Sequence, residues 1–211
     1  MNGYKITFLR HGRTQGNEDG VYIGRTDLPL SDKGREELEE KYEMHTYPSV
    51  ERVYSSPLTR AIQSAEILFP DREIVICDEM TEMDFGGFEG VPISELLELD
   101  SYHNWIKGGL DNPPPGGESL RQMIERTLSG LNLIIMDMMK EDIHDAGVVT
   151  HSGIIMNTMA CFGLPKMKPM EFACEPGEGW MINVSAMLWQ NGCTFEIVGK
   201  VPGIGSDEYM D

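Results

Sequence analysis

Basic side chains are scarce in this 211-residue chain: 17 Lys plus Arg stand against 35 Asp plus Glu, a formal net charge of −18. Binding to a phosphate backbone needs a basic stripe that releases counterions, so nucleic acid is not an expected partner. An anionic membrane surface is disfavoured for the same reason. Long hydrophobic runs are also missing. The longest apolar stretch, Leu131 to Met139, is interrupted by Asn132 and Asp137 and falls far short of the ~20 residues of a membrane span. Cysteine is sparse, and Cys77, Cys161, Cys174 and Cys193 show neither a CxxC pair nor metal-finger spacing. Reduced thiols are therefore expected. No signal-peptide pattern follows Met1-Asn2-Gly3-Tyr4, so the expectation is a cytoplasmic protein. The charge is spread rather than gathered in a tail, and three Trp, seven Tyr and seven Phe can anchor a core. One globular domain spanning 1–211, with a small cap, fits this length and composition.

Strand and helix patterns alternate along the chain. Tyr4 to Leu9, Arg52 to Ser55, Glu73 to Cys77 and Ala146 to His151 read as strands, the third as a buried one because it is apolar and β-branched. Helices are expected over Ser31 to His45, Pro57 to Phe69, Ile93 to Lys107, Glu118 to Lys140 and Gly153 to Phe162, with Ser31 and Ser56 as caps. Trp180 to Gln190 and Cys193 to Val201 suggest a hairpin turning at Asn191-Gly192. Repeated strand-helix-strand units imply an α/β fold, a three-layer αβα sandwich with a mostly parallel sheet. Asp84 to Glu118, rich in Gly and Pro, is the irregular insertion expected to cap one sheet edge.

In an open parallel sheet, ligands bind beyond the carboxyl ends of the strands. Three of those ends are polar: Arg10-His11-Gly12-Arg13-Thr14, Ser55-Ser56-Pro57-Leu58-Thr59-Arg60 and Thr150-His151-Ser152-Gly153. Two histidines and two arginines would converge there with the free N–H groups of helix N-termini, which suits a tetrahedral oxyanion. Taken singly, each residue has an ordinary alternative. A lone His11 or His151 would be a hydrogen-bonded structural histidine, and Arg60 an ion-pair partner of Glu66. His45, His103 and His144 read as surface residues, the methionines as adaptable core packing, and Glu36-Glu37-Leu38-Glu39-Glu40 as a solvated helix face.

Together, Arg10-His11-Gly12 with Thr14 and Asn17, the stretch Ser55 to Ala61, Glu82 ahead of Phe85-Gly86-Gly87-Phe88-Glu89-Gly90, and Thr150-His151 resemble, in order and spacing, the histidine phosphatase superfamily, also called the phosphoglycerate mutase-like family. The resemblance implies a two-step phosphoryl transfer without metal or cofactor, acting on a small phosphorylated metabolite. His11 would be the nucleophile, Arg10 and Arg60 the clamp on the phosphoryl oxygens, and His151 a further donor to them. Glu82 would be the general acid and then the base, with Glu79, Asp84 and Glu89 close enough in sequence to compete for that role. Thr14 and Asn17 are additional donors.

Two positions depart from the common family pattern: Arg13 stands where an acidic residue is frequent, and Ser152 where glycine usually follows the second histidine. Arg13 would bind a second anionic group of the substrate or pair with Glu18. Ser152 would cap the following helix or crowd the pocket. The segment Tyr22 to Ser31, which adds Gly24 and Arg25 to the expected substrate contacts, and Pro113 to Ser119 look most like the α-ribazole phosphatase branch. Asp84 to Glu118 holds a single Lys or Arg, Lys107, where a mutase needs several, so phosphatase is preferred over phosphoglycerate mutase. Phe85, Phe88, Tyr102, Trp105 and Leu110 of the same segment would receive a larger, less charged leaving group. A low-activity binding or regulatory protein of the same fold is the remaining alternative.

Overall fold

The computed structural model describes residues 3–203, so the ends of the expected 1–211 domain, 1–2 and 204–211, lie outside the described residues. The elements are β1 (Tyr4–Arg10), α1 (Gln15–Glu18), α2 (Asp32–Met44), β2 (Arg52–Ser55), α3 (Thr59–Leu68), β3 (Ile74–Ile76), α4 (Ile93–Leu96), α5 (Asp100–Lys107), α6 (Leu120–Lys140), β4 (Asp145–Thr150), α7 (Ser152–Phe162), β5 (Gly163–Leu164), β6 (Gly179–Val184), α8 (Ala186–Gly192) and β7 (Phe195–Val201). The seven strands form one sheet in the order β3-β2-β4-β1-β6-β7-β5. Four of the neighbouring pairs are parallel, and β6 runs antiparallel to both β1 and β7.

Side chains on a strand alternate between faces, and β1 shows the consequence. Ile6 and Phe8 join one core with Met123, Leu131 and Ile135 of α6 and Ile154, Ile155 and Met159 of α7. Leu9 joins the other, with Leu38 of α2 and Ala61, Ala65 and Leu68 of α3. Each fully buried Leu, Ile or Phe contributes about 1.5–3 kcal/mol of transfer free energy, so both faces need their helices. The mostly parallel αβα sandwich is what this burial pattern produces. Among the described residues, no helix is long and apolar enough to cross a membrane.

Several local expectations change. The strand Ile74–Ile76 lies at the sheet edge with Ile76 48% exposed, not in the interior. Ser56 does not cap α3, which begins at Thr59 after Leu58. Asp27 caps it from a distant loop, its carboxylate accepting from Thr59 N and Oγ1 at 2.7 Å each. The single helix expected over 93–107 is two, α4 and α5. Leu96 and Tyr102 would lie about 120° apart on one continuous helix, and the break lets both enter the cap's own core. The strands β6 and β7 do pair, but α8 replaces the turn at Asn191-Gly192. Ser185 Oγ accepts from Leu188 N, and Trp189, 9% exposed, donates to Asn132 Oδ1 at 3.0 Å. A capped run of good helix formers with a buried indole outweighs two turn residues at its end.

Candidate active site

The register of the central strands brings three chain segments to one level. Arg10 is opposite Thr150, and Leu9 and Ser55 are both opposite Val149. The parallel ladder continues one step further, with His11 N donating to Thr150 O at 3.0 Å and Ser56 N to Val149 O at 3.0 Å. His11, His151 and Ser56 therefore leave adjacent strand ends together. Gly12 then packs tightly: a Cβ there would meet Leu30 and Leu38 side chains at 3.0 and 3.2 Å. Its N–H donates to Ser64 Oγ at 2.8 Å, which in turn donates to Arg60 O at 2.6 Å. The loop after β1 is thus tied to the helix that carries Arg60.

His11 and His151 are both buried, with ring centroids 5.0 Å apart and the rings at 61°. His11 Nδ1 lies 2.6 Å from Gly12 O. A carbonyl only accepts, so Nδ1 carries the proton and Nε2 keeps its lone pair. Burial, then Arg60 and Arg10, lower the His11 pKa to about 3, against the raising effect of the Gly12 carbonyl. His151 is also held well below the ordinary histidine value, by burial first and then by His11, Arg60, Arg126 and Arg10. Both rings are neutral at physiological pH.

The guanidinium groups are held from behind. Arg60 Nη2 and Nη1 donate to Gly24 O at 2.6 Å and Thr26 O at 2.9 Å, so the ion pair with Glu66 does not form. Arg10 Nη1 donates to Cys174 O at 2.8 Å. Arg10 Nε, Arg60 Nε and His151 Nδ1 are buried without a hydrogen-bond partner. A buried donor set left unpaired is costly in itself, and its charge favours an anion.

Glu82 is 7% exposed and belongs to the same cluster. Its carboxylate accepts from Met83 N at 2.9 Å and from Gly153 N, in the first turn of α7, at 3.2 Å. A Cβ on residue 153 would lie 2.6 Å from Glu82 Oε1, so glycine there admits the carboxylate. Burial raises the Glu82 pKa above the ordinary carboxylate value despite the two N–H groups, Arg60 and Arg10. The neighbouring acids are engaged elsewhere. Asp84 Oδ1 accepts from Gly86 N, Glu89 accepts from Arg25 N and Thr26 N, and Glu79 Oε2 faces Cys77 Sγ.

Other expected contacts are placed differently. Arg13 turns away from the histidines: its Nε is 2.9 Å from Glu37 and its Nη2 3.7 Å from Glu175, and Glu18 instead accepts from Ser31 Oγ. Ser152 does not cap α7, because it is the first helical residue and His151 holds the cap position. Thr14 caps α1 and bonds Asn17 Oδ1 through both N and Oγ1. Gly24 serves through its backbone, where a Cβ would meet Met83 O at 2.1 Å. Arg25 reaches Glu118 at 3.6 Å rather than the histidines. Phe88 and Tyr102 are buried within the cap, so these two are not a lining for a leaving group.

Sequence reasoning passed over Arg126. It donates to Glu79 O at 2.6 Å and Thr81 O at 2.9 Å and forks onto Glu118 at 2.9 and 2.8 Å. The C-terminal end of the cap is thereby joined to the segment leading to Glu82. An arginine among the apolar positions of α6 was the available signal.

The model of the histidine phosphatase superfamily (branch 1) matches residues 6–186. The chain is 28% identical over 181 residues to an adenosylcobalamin/alpha-ribazole phosphatase of Escherichia coli (strain K12), covering 82% of this chain and 86% of that one. It is 31% identical over 148 residues to fructose-2,6-bisphosphatase TIGAR B of Danio rerio, covering 67% of this chain and 57% of that one. The structure of the alpha-ribazole phosphatase from Shigella flexneri superimposes with a TM-score of 0.74 at 22% identity, covering 92% of this chain and 94% of that one.

Proposed function

The chain belongs to the histidine phosphatase superfamily (branch 1), and from that premise we propose that it is a metal-independent phosphomonoesterase working through a phosphohistidine at His11. The observation that carries this reading is the neutral pair His11 and His151, buried between two guanidinium groups with their rings 5.0 Å apart. In the first step the lone pair of His11 Nε2 attacks phosphorus and the bond to the ester oxygen breaks. The Glu82 carboxyl gives its proton to that oxygen, and the alcohol leaves. In the second step the Glu82 carboxylate takes a proton from water, whose oxygen attacks phosphorus and releases His11 and inorganic phosphate. Arg10, Arg60 and His151 offset the charge on the phosphoryl oxygens throughout, the work a metal would otherwise do.

A substrate with one phosphate group is favoured. Arg13 is paired with Glu37 and Glu175, Arg25 faces Glu118, and the segment 84–118 adds only Lys107. These positions therefore supply little unpaired positive charge for a second phosphate. The resemblance of residues 22–31 and 113–119 to the α-ribazole phosphatase branch, and the similarity to the Escherichia coli protein, make α-ribazole phosphate the first substrate to try.

The test is release of inorganic phosphate from an aryl phosphate and from α-ribazole phosphate in EDTA, with acid-labile labelling of the protein by phosphate. Both signals are expected in the wild type. His11→Ala is expected to lower turnover by at least about 10⁴-fold and to abolish labelling. Turnover surviving His11→Ala would overturn the mechanism, and exchange between phosphoglycerates without phosphate release would indicate the mutase.

A further inference from the structure

Ser56 is fully buried at the end of β2 and is absent from the chemistry above. Its Oγ lies 2.8 Å from His151 Nε2 and accepts, at 3.4 Å, from Leu58 N. The hydroxyl has one proton to give. The neighbouring Ser55 Oγ already donates to Ser56 O, and among the described residues no acceptor other than His151 Nε2 is in reach of Ser56 Oγ.

His151 is neutral, so it has one N–H and two places for it. With the proton on Nε2, the imidazole donates to Ser56 Oγ. The serine hydrogen then has no acceptor, and the buried Nδ1 presents a bare lone pair to the anion site. With the proton on Nδ1, Ser56 donates to Nε2 and every atom of the pair is satisfied except Nδ1–H. That atom is buried without a protein partner and is a donor, which a phosphoryl oxygen can accept. Hydrogen-bond accounting therefore selects one tautomer.

We infer that Ser56 is a positioning residue that fixes His151 as the Nδ1–H tautomer, so that this ring donates to the transferring phosphoryl group. Its effect on catalysis rests on the function proposed above, whereas the tautomer does not. A donor aimed at the phosphoryl oxygens acts equally for every leaving group. The loss on removing the hydroxyl is therefore uniform across esters, unlike the loss of a group that protonates the leaving oxygen.

The experiment is two-bond ¹H–¹⁵N correlation NMR on the full chain with ¹⁵N-labelled histidine, followed by kinetics of Ser56→Ala. In the wild type, His151 is expected to show a protonated Nδ1 and an unprotonated, hydrogen-bonded Nε2. A protonated Nε2 would overturn the inference whether or not the enzyme turns over, and it needs no variant. In Ser56→Ala the His151 Nε2 resonance is expected to move while the His11 resonances stay. The kcat/KM is expected to fall about 10- to 100-fold, by the same factor for an aryl and an alkyl phosphate. Inhibition by inorganic phosphate should weaken in parallel. Unchanged kcat/KM in a folded Ser56→Ala protein, or a loss that grows with leaving-group basicity, would also overturn it.

Discussion

At the floor of the candidate site, beyond the strand ends, His11, Glu82 and His151 are buried ionisable groups, and the donors Arg10 Nε, Arg60 Nε and His151 Nδ1 are left unpaired. Residues 84–118 do the reverse. Their small core of Phe88, Leu96 and Tyr102 is apolar. The segment is fastened to the body by carboxylates with complete sets of partners, Glu89 on the 25–26 backbone and Glu118 on Arg126. The first region stores unfavourable desolvation that an anion relieves; the second is an ordinary packed element. The buried ionisable cluster and the apolar cap core are thus separate in space, and the separation can be attacked from either side.

The largest effect is expected at the floor. Glu82→Gln keeps the shape and loses the proton. The kcat/KM for an alkyl phosphate should fall about 10³-fold, and that for an aryl phosphate with a good leaving group much less. Equal losses for both esters would remove Glu82 from the acid role and break the assignment of the floor to chemistry.

The pH dependence comes next. The first step of the proposed mechanism needs neutral His11 and protonated Glu82. With His11 lowered to about 3 and Glu82 raised above the ordinary carboxylate value, kcat/KM should hold well below pH 6.5 and decline as Glu82 ionises. Stability has the opposite sign at low pH. A histidine whose folded pKa is depressed stabilises the fold fully above its unfolded value near 6.5 and loses that contribution as pH falls toward 3. The Tm of the wild type should therefore drop over this interval, and less steeply in His11→Ala. An acid limb of kcat/KM near 6.5 would mean that the floor is not desolvated.

The floor was legible in the sequence because its chemistry admits few residue types. Two histidines and two arginines at strand ends are unusual in a chain this acidic, and strand ends follow from hydrophobic pattern, whereas Glu82 was expected only from the family resemblance. Direction and partners were not legible. Arg13 sits two residues from His11, but its side chain pairs with Glu37. Ser56 looked like a helix cap because the chain near Pro57 has a cap's composition. Asp27, 32 residues before Thr59, does the capping. The cap aromatics were assigned to a ligand because composition cannot say whether Phe88 and Tyr102 face out or pack against Leu96. In each case a long-range contact decided what local pattern left open.

A smaller effect should follow from loosening the cap. Leu96 is fully buried among Phe88 and Tyr102, and a Leu→Ala cavity costs about 2–5 kcal/mol. The cap carries none of the buried ionisable cluster, so Leu96→Ala should raise proteolytic sensitivity within 84–118 and raise KM for an aryl phosphate up to about tenfold. Labelling of His11 by phosphate should persist. Loss of labelling would show that floor and cap fold as one unit and would end the comparison.

The smallest effect belongs to Arg13, which the sequence placed beside the nucleophile. Its side chain and that of its partner Glu37 are each about 40% exposed, and pairs of this kind contribute about 0–1 kcal/mol. It is neither one of the unpaired donors at the floor nor part of the cap. Arg13→Ala should therefore change kcat/KM for a monophosphate by no more than about twofold and leave Tm nearly unchanged. If this residue instead held a second phosphate, the substitution would spare monoesters and selectively weaken bisphosphates. Comparing the two substrate classes in one variant thus tests the single-phosphate reading through a residue whose partners, Glu37 and Glu175, lie outside the buried ionisable cluster.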